Sequence, residues 1–135
     1  MNEKTKVLLE EWKEIRESLR YFGNKRFAQL TVFIAGSGFM FDAFFNQPDT
    51  MSNWVLPMLG FIFGVLFYLM ERSSVDYWKK FVERSKKIEE EITYLRLMTD
   101  HRPSGRVFSA TNATYFLYIS ISIIWIALLL LSLFT

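Results

Sequence analysis

Cysteine is absent from these 135 residues, and histidine occurs once, as His101. The first absence excludes disulfides, thiolate metal sites and a thiol nucleophile. Around the single histidine only Ser104 suggests hydrolytic chemistry, and a nucleophile needs an oriented base that this stretch lacks. No glycine-rich phosphate loop, carboxylate pair, metal-ligand cluster or nucleotide fingerprint is present. No catalytic residue, metal or cofactor is therefore expected, and the chain does not read as an enzyme. Charge is missing from long stretches as well. Residues 30–45, 54–70 and 115–134 are apolar blocks that hold one charged residue between them, Asp42.

What is present is hydrophobic, at 51 % of residues, with fourteen phenylalanines. About twenty helical residues cover the hydrocarbon core of a bilayer. The third block meets that length, the first does so when counted from Phe27, and the second is slightly short. Together they predict three membrane spans, at residues 27–45, 54–71 and 110–134. A cleaved secretory signal is not expected, because the first apolar run follows a mixed-charge segment of twenty-six residues.

All sixteen lysines and arginines fall in two segments, seven from Lys4 to Arg26 and nine from Arg72 to Arg106. Basic residues mark the cytoplasmic side of a span. Three spans with these flanks give an N-terminus inside, residues 46–53 outside, a long charged segment inside and a C-terminus outside. Acids balance the bases within each charged segment, which disfavours nucleic acid as a partner.

Residues 2–22 read as an amphipathic cytoplasmic helix, with Leu8, Trp12, Ile15, Leu19 and Phe22 on one face. Such a helix could lie among headgroups. Its five acidic residues would be repelled by anionic lipid, so packing on protein is the preferred reading. Gly23-Asn24 predicts a break or kink. In the first span Thr31, Ala35, Gly38 and Asp42 form a stripe of small or polar side chains at helical spacing. Such a stripe is a packing seam for another helix or a water-facing surface. At 1.5 Å per residue Asp42 lies about 24 Å from Arg26, near the outer interface, where a carboxylate costs little.

Pro57 falls in the first turn of the second span, where its missing N–H costs little. Gly60 and Gly64 make a G-x-x-x-G pair, a site for close approach of another span unless the bulk of Phe61–Phe63 covers it. From Arg72 to Arg102 neither glycine nor proline interrupts the chain, so the second span is expected to continue as a cytoplasmic helix over 72–99. Trp78, Phe81, Ser85, Ile88, Ile92, Leu95 and Thr99 recur at alternating spacings of three and four, a heptad seam. The seam needs a partner: the N-terminal helix, a neighbouring subunit, or both.

The predicted fold is thus an all-α membrane protein of three transmembrane helices, with an amphipathic N-terminal helix and a long helix continuing from the second span, both cytoplasmic. Its sticky surfaces favour a homo-oligomer in membrane lipid. In a ring, Thr31, Gly38 and Asp42 would face a central passage. The aromatic cluster Asp76-Tyr77-Trp78-Lys79-Lys80-Phe81, followed by Lys87-Ile88-Glu89-Glu90-Glu91 after closely spaced spans, resembles the SLATT-type small membrane effectors of bacterial defence systems. The resemblance covers roughly residues 21–97. It implies a bacterial inner-membrane protein that perforates or depolarises the membrane on a signal from a cytoplasmic regulatory protein. The rival expectation is a non-conducting scaffold that docks a partner through the Trp78–Leu95 seam.

Overall fold

The computed structural model describes residues 2–46, 54–92 and 109–134. They form three α-helices: α1 over Glu3–Phe45, α2 over Val55–Glu91 and α3 over Ala110–Phe134. Each is long and apolar enough to cross a membrane, so the described residues are all-helical, with three candidate transmembrane helices among them. Leu95, Thr99, His101 and Ser104 lie outside the described residues, as do residues 47–53 of the segment expected outside the membrane.

Local chemistry sets the helix ends. The Asn2 carbonyl accepts from the Lys6 N–H at 3.2 Å, and Glu3 places a carboxylate in the first turn of α1, where the helix dipole favours it. α2 opens with the Trp54 carbonyl accepting from Met58 N–H at 3.1 Å, one turn that takes in Pro57 without loss of an intrahelical bond. α3 begins with a serine cap: Ser109 Oγ accepts from the Asn112 N–H at 3.2 Å, satisfying one of the donors a helix start leaves orphaned. At its other end α1 closes with Asn46 donating to Asp42 twice, from its N–H to the Asp42 carbonyl at 3.0 Å and from Nδ2 to Oδ1 at 2.7 Å.

Gly23-Asn24 predicts a break or kink; the helix is not broken there, and both residues lie within α1. Glycine in a helix interior costs about 1 kcal/mol relative to alanine. Flanking residues offset that: Leu19 is buried, and the Phe22 ring stacks on Tyr77 with centroids 6.0 Å apart.

The chain divides into two compact units. The first holds residues 2–26 and 73–92, a charged antiparallel hairpin of the α1 start and the α2 end. Its core is Trp12, Ile15 and Leu19 against Ile88 and Ile92, flanked by Leu8, Phe81 and Val82. The α2 seam therefore has an intrachain occupant, the apolar face of α1. The second unit holds residues 27–46, 54–72 and 109–134, the apolar parts of all three helices. Phe33 is its centre, fully buried, stacked on Phe63 at 5.6 Å and edge-on to Tyr118 at 4.6 Å. In the most apolar stretch of each helix no more than 22 % of residues are buried. The remaining apolar surface faces outward, as lipid or a second membrane chain requires.

Candidate functional site

The α1 part of the membrane unit has two faces of different chemistry. One points into the chain: Gln29, Phe33 and Ser37 are buried at successive spacings of four, and Gly36 lies beside them. A Cβ on Gly36 would stand 2.8 Å from the Phe63 ring. The Gln29 side-chain amide oxygen and the Ser37 hydroxyl are buried without a hydrogen-bond partner among the described residues. An orphaned polar atom of this kind costs about 1–3 kcal/mol.

Thr31, Ala35, Gly38 and Asp42 lie on the other face, and all four are exposed. The Thr31 hydroxyl donates to its own helix, at the Phe27 carbonyl, 3.0 Å away. A Cβ on Gly38 would meet nothing within 4 Å. The Asp42 carboxylate accepts from the Asn46 amide and is held at the end of α1. The stripe is thus not the surface by which α1 packs on the other spans of its own chain. That surface is the Gln29–Phe33–Ser37 line, because the Phe33 ring buries far more apolar area than the small residues could.

Gly60 and Gly64 are both buried, and α3 lies over them. A Cβ on Gly60 would collide with the Trp125 indole, and one on Gly64 with the Ser122 hydroxyl. Ser122 keeps its own bond inside α3, donating to the Tyr118 carbonyl at 2.8 Å. Trp125 is fully buried and stacks face to face on Phe41, with centroids 4.3 Å apart and planes 6° from parallel. Absent side chains on α2 thereby create the slot for the largest side chain of α3, while Phe63 turns towards Phe33 and Gly36. Aromatic rings thus fill the centre of the three apolar segments.

In the charged hairpin Ile88 and Ile92 are buried, Phe81 is half-buried and Trp78 is 37 % exposed. Val75, three residues before Trp78, is buried, with 4 % of its surface exposed. Glu89 is the residue that spacing alone did not single out. Only 1 % of it is exposed, and its carboxyl oxygen accepts from the Trp12 indole N–H at 3.1 Å. The signal available was its neighbour: Ile88 on the seam brings the next position towards the N-terminal helix. Arg84 grips Glu11 through two bonds, Nε to Oε1 at 2.6 Å and a terminal nitrogen to Oε2 at 2.9 Å. The Arg84 hydrogen bond holds the Glu11 carboxyl below the ordinary carboxylate range, against the opposing effect of desolvation. Glu11 in turn raises the Arg84 guanidinium. Lys4 and Glu91 add an exposed pair at 3.5 Å.

Among the described residues no group of acidic and histidine side chains is placed to hold a metal ion. No protein-family model, curated protein or solved structure matches the chain.

Proposed function

We propose that this chain is a self-assembling integral membrane protein whose copies surround a conducting passage, controlled through the charged hairpin. The observation that carries the reading is the uncovered Thr31–Ala35–Gly38–Asp42 face of α1. A small, partly polar surface suits lipid chains poorly. It suits either the close approach of a neighbouring span or water in a pore. Since aromatic rings fill the centre of one chain, a passage would have to form between chains. An Asp42 ring at its outer end would favour cations.

The distribution of lysine and arginine supports an N-terminus and hairpin in the cytoplasm and a C-terminus outside. Reporters fused at each end check it, and a cytoplasmic C-terminus would refute it. The SLATT resemblance implies the same mode of action, perforation or depolarisation of a bacterial inner membrane without catalysis. Unbroken α2 carries residues of both units, which supports a signal passing from hairpin to spans.

Ion flux through purified protein in liposomes tests the proposal, with the mass of the detergent-solubilised assembly measured in parallel. Oligomers and flux that falls on Gly38→Leu are expected. A monomer removes the ring. Tight vesicles holding correctly inserted oligomers favour instead a non-conducting scaffold that docks a cytoplasmic protein.

A further inference from the structure

Charge along the hairpin is unevenly placed. In residues 19–26 and 73–82, the stretches next in sequence to the spans, five bases (Arg20, Lys25, Arg26, Lys79 and Lys80) stand against one acid, Asp76. In the rest of the hairpin, residues 2–18 and 83–92, seven bases are outnumbered by nine acids. The basic end also carries exposed rings: Tyr21 at 63 %, Tyr77 at 53 % and Trp78 at 37 %.

These groups are ordered by contact. Phe22 and Tyr77 stack nearly parallel, 10° apart. The Lys25 ammonium lies over Phe22 at 6.0 Å, and that of Lys80 over Tyr77 at 5.6 Å. Two lysines, one from each helix, are therefore held at the two rings of a single stacked pair by cation–π attraction. Tyr21 meets Phe22 edge-on at 5.7 Å.

We propose that this end of the hairpin binds the headgroups of anionic phospholipids. Tyrosine and tryptophan prefer the headgroup level because the ring is apolar and its O–H or N–H is polar. Lysine stems lie along apolar surface while their ammonium groups reach outward. Basic side chains beside a span are attracted to anionic lipid. The acid-rich remainder of the hairpin offers no such attraction, so binding is confined to the stretches that adjoin the apolar segments in sequence. An acidic protein segment could meet the same charges but would not account for exposed rings in those same stretches. The assignment needs only that the apolar helices lie in a bilayer. It stands apart from the pore reading.

The test uses the full chain, reconstituted in phosphatidylcholine with a minor share of phosphatidylglycerol and re-extracted in mild detergent, with the lipids that remain bound counted. Wild-type protein should retain phosphatidylglycerol above its bulk share. A K25Q/K79Q/K80Q variant should lose that excess, at up to about five-fold per lysine. A control with the same charge change at the far end, K13Q/K86Q/K87Q, should keep it. Tryptophan quenching by brominated phosphatidylglycerol is a second readout on otherwise native protein, and W78F should remove a share of it that brominated phosphatidylcholine does not produce. An excess that persists in K25Q/K79Q/K80Q overturns the assignment, as does an equal loss in the control. Wild-type protein with no excess and no headgroup-selective quenching overturns it too, and leaves an acidic protein segment as the occupant.

Discussion

Three of the glycines in the membrane unit are separated by what stands opposite them. A methyl group on Gly60 would enter the Trp125 ring, and one on Gly64 the Ser122 hydroxyl, whereas Gly38 looks into open space. The indole is locked between Gly60 and Phe41, so it has nowhere to retreat, and overpacking of this kind costs about 1–3 kcal/mol. Gly60→Ala is expected to lower the unfolding free energy in detergent by that amount. Gly38→Ala should stay within about 0.5 kcal/mol of wild type in the monomer. Equal effects at the two positions would mean that α3 does not lie on the glycine pair. A second residue-scale prediction concerns Glu11. Its carboxyl sits below its ordinary value because Arg84 bonds the ionised form. The unfolded chain thus binds the proton more readily, and the pair stabilises the hairpin fully above the unfolded carboxylate pKa. That contribution is lost as pH falls from the unfolded pKa through the depressed folded one. Carbon NMR of the Glu11 carboxyl should show a midpoint below that of an unfolded reference, and Arg84→Gln should return it towards normal.

At the scale of elements, α1 is a helix asked to do two jobs. Residues 3–26 bury Trp12, Ile15 and Leu19 in the hairpin core, and residues 27–45 bury Gln29, Phe33 and Ser37 in the membrane unit. Gly23 lies between them with no positive φ, and a Cβ added there would meet nothing within 4 Å. Gly23→Ala should therefore stabilise the protein by about 0.4–1 kcal/mol, through a smaller entropy loss on folding. Slower amide hydrogen exchange at residues 20–26 would register the change. Faster exchange would show that the glycine is needed as a hinge. In α2 the heptad count and the packing disagree at one point. Trp78 has the spacing of a core residue but is 37 % exposed, whereas Phe81 at the next seam position packs on Phe22. Val75, three residues earlier, is buried.

For the whole molecule, the chemistry of the exposed surface sets the environment it needs. Phe39 is 78 % exposed, Ile123 58 % and Leu131 62 %, which is natural for side chains bathed in lipid and untenable in water. The Thr31–Asp42 face is the exception on this surface, since its small groups bring little apolar area to lipid. If neighbouring copies meet there, Gly38→Leu should reduce the assembly's mass in detergent towards that of a monomer while α-helix content is unchanged. An oligomer of wild-type mass in that variant would place the subunit contact elsewhere.

Composition and order alone determined that the chain is helical and suited to a membrane. Apolar blocks of near-span length, with charge confined between them, have few other solutions, since backbone polar groups in lipid must bond within their own helix. Spacing likewise exposed the apolar face Leu8–Trp12–Ile15–Leu19, the seam through Ile88 and Ile92, and the glycine pair on α2. Which face meets which was a tertiary decision. Thr31, Ala35, Gly38 and Asp42 have the periodicity of a packing seam, but a period names a face without naming its neighbour. Phe33 took the inward direction because three rings and Gly36 could close around it. Glu89 reads as one more solvated acid in a run of three, yet it is buried and accepts from the indole of Trp12, seventy-seven residues earlier. Partnership between residues so far apart depends on geometry that no local pattern carries.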